Sequence, residues 1–179
     1  MQLKGSRTEK NLLKTFAGES RARNKYSFYA EKAKEDGYEF IAAIFNETAE
    51  NEKAHARRVY KDFLKEVKST ADNLYDAAIG EAFESEKLYK EFEKTAREEG
   101  FNDIADFYKE LSEVEENHRN RFMTILKNLK SGKIFKKDTV VKWQCMNCGY
   151  IHEGTEAPDF CPLCKFPRSY FEIYCENYK

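Results

Sequence analysis

The chain has 179 residues, with 31 basic and 32 acidic side chains and a formal net charge of -1. That balance excludes a protein held to nucleic acid by a global basic field. No run of about 18 apolar residues exists to cross a membrane. The length fits one domain, or one domain and a small module. The first ten residues are polar and lack the apolar stretch of a secretory signal, so the expected location is cytoplasmic. In that setting the five cysteines are metal ligands or free thiols rather than disulfides.

The composition changes along the chain. Residues 1–130 contain no proline, and every cysteine lies at or after Cys145, just past the single tryptophan, Trp143. The front part therefore reads as long helices and the tail as a loop-rich module. The expected division is a mostly α, four-helix bundle over 1–133, a linker over 134–141 and a metal module over 142–179.

The front part repeats internally. Ala33-Lys34-Glu35-Asp36-Gly37-Tyr38 returns as Ala96-Arg97-Glu98-Glu99-Gly100-Phe101, and His55 returns as His118. Each copy reads as a helical hairpin turning at a glycine that can take the left-handed backbone region. The four expected helices run over about 6–35, 38–66, 72–99 and 102–130.

Each helix carries one stripe at three-and-four spacing. The second runs Ile41, Phe45, Thr48, Glu52, His55, Val59, Phe63, and the fourth runs Ile104, Tyr108, Leu111, Glu115, His118, Phe122, Ile125. The first carries Glu19 among Phe16, Tyr26 and Ala30; the third carries Glu81 and Glu84 among Ala77, Leu88 and Phe92. Carboxylates thus sit mid-stripe, where a core wants leucine. Unpaired buried carboxylates are prohibitively unfavourable, so a multivalent cation is expected among them. One Glu from each of two helices, with Glu-x-x-His from each of the other two, is the carboxylate di-metal pattern. Here those pairs are Glu52/His55 and Glu115/His118. The donor set suits iron or manganese better than copper, and zinc stays open.

The repeat offset is 62 at Glu19/Glu81 and 63 at Tyr26/Tyr89. One extra residue in the third helix is absorbed by a π-bulge near Glu81–Leu88 or by a shift of helix phase. Tyr26 and Tyr89 lie within one or two turns of the carboxylates. They are candidates to hydrogen-bond a ligand or a reduced oxygen species, with core packing as the alternative.

In the tail, Cys145-Met-Asn-Cys148-Gly-Tyr and Cys161-Pro-Leu-Cys164-Lys-Phe make two Cys-x-x-Cys knuckles. Four thiolates in two such turns make a tetrahedral site for zinc or a single iron. Zinc would make the module structural and iron would make it a one-electron carrier. Backbone N–H groups around Gly149 and Pro162 are expected to point at sulfur. Trp143, Tyr150, Phe160, Phe166, Tyr170 and Phe171 are the expected aromatic core, and metal binding is expected to contribute to the fold. Cys175 is left over as a free thiol.

On these residues the chain resembles the rubrerythrins over nearly its whole length. The matching pieces are Gly18-Glu19-Ser20-Arg21-Ala22-Arg23, Glu47-Thr48-Ala49 with Glu52 and His55, Gly80-Glu81 with Glu84, Glu115 with His118, and Trp143 through Cys164 in the tail. The resemblance implies a ferritin-like di-iron bundle followed by a rubredoxin-like Fe(Cys)4 domain. It implies a peroxide reductase: the di-iron site reduces hydrogen peroxide to water and the Fe(Cys)4 centre returns the electrons. Glu19 and Glu81 would be terminal ligands, Glu52 and Glu115 would bridge, and His118 would hold the second iron. His55 and Glu84 would alternate on the first iron as its oxidation state changes. Lys165 departs from the glycine that simple rubredoxins often carry. Iron-to-zinc exchange is chemically open at either site. The expected partners are hydrogen peroxide and an electron-donating reductase, either an NAD(P)H-dependent flavoprotein or a rubredoxin, with no nucleic acid and no membrane.

Two other functions fit parts of the pattern. A ferritin-like ferroxidase or iron-binding protein explains the bundle but gives Glu84 and the cysteines no task. A zinc-ribbon scaffold explains the cysteines alone.

The link between the hairpins sets a further expectation. Ferritin-like bundles run the second and third helices parallel, joined by a long crossover. With the expected helix ends, the link would have to span ~35 Å by the helical rise, and six residues reach only ~20 Å. A homodimer with exchanged hairpins resolves this, in preference to an early end of helix 2 or a plain up-and-down topology.

Overall fold

The structure, a computed structural model, describes residues 2–176. It divides into two compact units, 1–69 and 70–179.

The first unit is a helical hairpin. α1 spans Arg7–Glu35 and α2 spans Glu39–Arg57, continued by a π-helical turn over Arg58–Phe63. Ser6 caps α1 by accepting the Glu9 N–H at 3.0 Å, and the Glu9 carboxylate accepts the Gly5 N–H at 2.6 Å. These contacts satisfy donors that a helix start leaves unpaired. α1 ends at Gly37, whose φ of 82° lets the Tyr38 N–H reach back to the Ala33 carbonyl at 2.8 Å. The second unit repeats this turn, with Gly100 at φ 86° and the Phe101 N–H on the Ala96 carbonyl at 2.8 Å. Its helices are α3 (Thr70–Phe83), a π-helical turn (Glu84–Leu88), α4 (Tyr89–Glu98) and α5 (Asn102–Lys130). The π-turn near Glu81–Leu88 therefore forms, and the third expected helix is α3 and α4 joined through it.

Each hairpin closes on small residues. Ala30, Ala33, Ala42, Ala49 and Ala56 are buried in the first, and Ala78, Ser85, Ala96 and Ala105 in the second. Larger members of the expected stripes, Ile41, Phe63, Phe92, Ile104 and Ile125, are exposed. Alanine at the contact lets two helix backbones approach closely, which pushes larger side chains to the flanks. The repeat persists in ring packing. Phe45 meets Tyr29 edge-on at 5.6 Å and Tyr26 at 6.3 Å; its counterpart Tyr108 meets Phe92 edge-on at 5.3 Å and Tyr89 at 5.9 Å.

The tail is a three-stranded antiparallel sheet in the order β2-β1-β3, with β1 Lys136–Cys145, β2 Ile151–Glu156 and β3 Phe171–Ile173. Residues 136–141 are thus strand as well as connection. Trp143 is fully buried and its indole N–H donates to the Gly154 carbonyl at 3.0 Å. It packs with Cys145, Ala157, Cys161 and Phe171, flanked by Phe135, Val141, Tyr150 and Cys164. Phe160, expected in this core, is exposed instead, and so are Phe166 and Tyr170, which stack edge-on at 4.6 Å. The sulfur cluster and Ala157 occupy the interior that these rings would otherwise fill.

Candidate metal centres

Three groups of donors assemble. In the first hairpin Glu19 on α1 meets Glu52 and His55 on α2, with ligand atoms within 4.8 Å of one another. His55 Nδ1 lies 3.1 Å from Glu52 Oε2 and 3.3 Å from Glu19 Oε2. In the second hairpin Glu81 on α3 meets Glu115 and His118 on α5 in the same way. His118 Nδ1 lies 2.7 Å from Glu115 Oε2 and 3.8 Å from Glu81 Oε2. The i, i+3 spacing puts Glu and His of each pair on one helix face, and the glycine turn brings the third carboxylate to the same height.

The electrostatics of each group call for a cation. Glu19 holds its proton above the ordinary carboxyl range, through its hydrogen bond with Glu52 and its burial. Glu52 is held below that range by its hydrogen bonds with Glu19 and His55. The pair shares one proton where two anions would repel. Burial, and then Glu115, push Glu81 up in the same sense. Hydrogen bonds with Glu52 and Glu19 raise His55. A divalent ion bound at ~2.1 Å by N and O donors sets neighbouring donors ~3 Å apart, and three of the four His–Glu separations, at 2.7, 3.1 and 3.3 Å, match that spacing, while His118–Glu81 at 3.8 Å is wider.

Glu84 and the two tyrosines sit differently. Glu84 begins the π-turn, one helical turn past Glu81, and its carboxylate accepts from the Tyr89 hydroxyl at 3.4 Å. Burial and the Glu84 charge push the Tyr89 phenol up. Tyr26 lies instead among the rings of Tyr29 and Phe45. The structure also brings in two serines that the sequence pattern did not single out. Ser85 is buried, and its carbonyl accepts the Ser112 hydroxyl of α5 at 2.7 Å. A π-turn displaces carbonyls from the regular ladder, and Ser112 satisfies this one. The π-turn at Arg58–Phe63, just after His55, was not anticipated either. The repeat offset flagged the bulge in the second hairpin, and nothing comparable flagged the first.

The third group is Cys145, Cys148, Cys161 and Cys164, whose sulfurs lie within 4.8 Å of one another. Cys145–Cys164 and Cys148–Cys161 are 3.7 and 3.6 Å apart. A disulfide needs ~2.05 Å, whereas tetrahedral metal–sulfur bonds of ~2.3 Å make edges of ~3.8 Å. The two knuckles share one design. Gly149 and Lys165 both take positive φ, 78° and 63°, and donate their N–H to the carbonyls of Cys145 and Cys161 at 2.8 and 2.9 Å. The Asn147 side chain and the Phe166 N–H hydrogen-bond Cys164 and lower its thiol to about 6. The Tyr150 N–H pulls Cys148 down, but burial and the neighbouring sulfurs outweigh it and carry that thiol to about 12. Backbone N–H groups thus point at sulfur, as expected of the knuckles. Cys175 is exposed and free.

Among the described residues no helix is long and apolar enough to cross a membrane. The sequence matches the rubrerythrin family over residues 10–75 and 72–146, and the rubredoxin-like domain of rubrerythrin over 143–172. It is 46% identical to rubrerythrin-1 of Clostridium acetobutylicum, over 98% of each chain, in an alignment of 193 positions. It is 46% identical to the rubrerythrin of Clostridium perfringens and 43% to that of Nitratidesulfovibrio vulgaris, again over 98% of each chain. The chain therefore belongs to the rubrerythrin family, its two Glu–Glu–His groups being those of that family's di-iron site and its four cysteines those of the rubredoxin-like iron.

Proposed function

We propose that this chain reduces hydrogen peroxide to water, drawing electrons through its cysteine-bound iron, as part of oxidative-stress defence. The observation that carries this reading is the presence, on one chain, of a carboxylate–histidine donor set and a four-cysteine site. Storage of iron needs only the first. When bound, the iron pair supplies one electron from each ion and Lewis acidity to the O–O bond, and the cysteine-bound iron restores those electrons singly.

The reaction takes up two electrons and two protons per peroxide and yields two waters. The residues of the chain divide that work. Glu19 and Glu81 would hold one iron each, Glu52 and Glu115 would bridge, and His118 would hold the second iron. His55 and Glu84 would exchange on the first iron: neutral imidazole suits the less charged ferrous pair and a further carboxylate suits the ferric pair. The contact between Tyr89 and Glu84 supports this role for Glu84, because the phenol holds the carboxylate while it is unbound. Tyr89 can also hold a proton close to the site. Tyr26 is the repeat-related candidate for the same task, and its ring neighbours favour a packing role.

The physiological donor in this reading is a flavin-dependent NAD(P)H reductase or a rubredoxin. The working division is a bundle over 1–133, a connection over 134–141 and an electron-carrying module over 142–179. A cytoplasmic setting fits five cysteines of which none is in a disulfide.

The test is a visible spectrum of protein purified without air, followed by titration of the reduced form with peroxide. A red chromophore that bleaches on reduction and returns at one peroxide per two electrons supports the reading. Ferrous oxidation by dioxygen without peroxide turnover would point to a ferroxidase. A colourless protein that stays so after refolding with iron would point to a zinc scaffold.

A further inference from the structure

We infer that the first hairpin carries a second ligand site, a groove on the flank of α2 away from the metal donors, and that it binds a mononucleotide, a flat aromatic base bearing a phosphate. The site goes beyond the peroxidase reading and does not depend on it. The wheel of α2 separates two faces. Ala49 and Ala56 are buried and form its contact row. At ~100° per residue, Glu52 and His55 fall on one side of that row, and Lys53, Arg57 and Tyr60 fall on the other. α1 presents Phe16, Ser20, Arg23 and Asn24 to this second groove.

The groove has a volume of about 510 Å³, within the ~300–1,000 Å³ of small-molecule sites. Its floor is apolar. The rings of Phe16 and Tyr60 stack with centroids 4.5 Å apart and 21° between their planes, and the buried Ala56 lines the groove with them. Both rings are half-buried, so ring surface is open to the groove. After α2 the chain folds back into it. Leu64 N–H donates to the Val59 carbonyl at 2.9 Å and Glu66 N–H to the Tyr60 carbonyl at 3.1 Å, around Lys65 at φ 57°, and Val67 then joins the lining. A helix running straight on would carry Val67 ~10 Å past Tyr60 along its axis. The π-turn and the left-handed Lys65 thus shape this end of the groove.

The charge around this floor has one sign. Arg23, Lys53, Arg57 and Lys61 line the groove, and no carboxylate among the described residues lines it with them. Glu50, outside the lining, meets Lys53 at 2.9 Å and also feels the charges of Arg23 and Arg57. Arg23 reaches the Asn24 side-chain oxygen at 3.0 Å. Among the described residues Arg57 and Lys61 make no ion pair, and at i, i+4 they share one face of α2. A guanidinium fork beside an ammonium suits a phosphate. Every base has a π-face that stacks on aromatic rings. An inorganic anion would leave the aromatic floor wet, and an uncharged ring would leave the cations unanswered. A mononucleotide answers both at once.

The experiment titrates the full-length, metal-loaded protein with flavin mononucleotide, followed by quenching of its fluorescence, and with adenosine monophosphate in competition. Riboflavin and inorganic phosphate are the probes that lack one half of the ligand. At least one mononucleotide is expected to saturate a single site per chain, and the ranking of the two identifies the preferred ring. Riboflavin and inorganic phosphate are each expected to bind about tenfold or more weakly than that mononucleotide. Arg57→Gln with Lys61→Gln is expected to weaken binding by about tenfold or more. Lys14→Gln with Lys34→Gln removes the same charge at exposed positions outside the groove and is expected to stay within about twofold of wild type. Circular dichroism checks that each variant is folded. Absence of saturation at millimolar mononucleotide would overturn the inference. So would equal binding of riboflavin, which would mark an apolar crevice, or equal binding of inorganic phosphate, which would mark an anion site alone. Equal losses in the two double variants would assign the binding to overall charge and overturn it as well. Displacement of the mononucleotide by a lower concentration of a single-stranded oligonucleotide would make the groove a nucleic-acid surface instead.

Discussion

The Ser112 hydroxyl donates to the Ser85 carbonyl at 2.7 Å, joining α5 to the π-turn that follows Glu81. Ser85 is buried, and its own hydroxyl reaches back to the Glu81 carbonyl at 2.7 Å. The repeat places Ala49 where Ser112 stands, so the first hairpin has no such clamp. The π-turn that positions Glu84 is thus held by a residue on the opposite helix.

Ser112→Ala leaves that carbonyl buried without its partner. The expected loss is ~1–3 kcal/mol of stability, the desolvation penalty of an unsatisfied polar group. Urea unfolding followed by circular dichroism measures it. A change below a few tenths of a kcal/mol would show that the π-turn holds itself.

Lys165 takes at φ 63° the place that Gly149 takes in the other knuckle, and its side chain donates to the Pro162 carbonyl at 2.9 Å. A left-handed L-residue is strained by ~1–2 kcal/mol, and glycine gives part of that back through its greater freedom when unfolded. Lys165→Gly is expected to raise the stability of the module by ~0.5–1 kcal/mol. Resistance of the metal-loaded module to thermal loss of its near-ultraviolet signal checks the sign.

Metal loading of the four-cysteine site is expected to strengthen with pH. Cys164, at about 6, is already a thiolate at neutrality, whereas Cys148, at about 12, keeps its proton until a metal displaces it. The unloaded site therefore binds more protons than the loaded one, and raising the pH favours loading. Each proton expelled contributes about tenfold in apparent affinity per pH unit. Competition with a chromophoric chelator at two pH values measures the slope, and a flat profile would contradict proton displacement.

Tyr89→Phe removes the hydroxyl that donates to Glu84, while Tyr26→Phe alters a side chain packed among rings. Peroxide reduction is expected to fall about three- to tenfold in the first variant and by less than twofold in the second, the lost hydrogen bond accounting for ~1 kcal/mol. Stopped-flow reoxidation of the reduced protein separates them. Equal effects would assign the two tyrosines the same role.

Removing one cysteine tests the fold of the tail. Its core is Trp143 and Phe171 around two buried sulfurs, with Phe160 and Tyr170 outside. Cys161→Ser is expected to abolish metal loading and melt the module while leaving the helical hairpins folded. Tryptophan fluorescence reports the first and far-ultraviolet dichroism the second, because Trp143 is the single tryptophan.

The sequence by itself determined the donors. Glu-x-x-His at i, i+3 and Cys-x-x-Cys are local patterns whose geometry follows from the backbone of one helix or one turn, so Glu52/His55, Glu115/His118 and both knuckles are legible in the sequence. The glycine turns at Gly37 and Gly100, which the sequence marks, also set the heights at which Glu19 and Glu81 join them. The tertiary structure decided what depends on neighbours far along the chain. It placed Ser112 over the Ser85 carbonyl, added a second π-turn after His55, gave the hairpin contact to alanines and left Phe160 outside the tail core. Periodicity marks which face of a helix is apolar. Which of those side chains meet a neighbour depends on how closely two backbones approach, and that distance is set by the residues of both helices together.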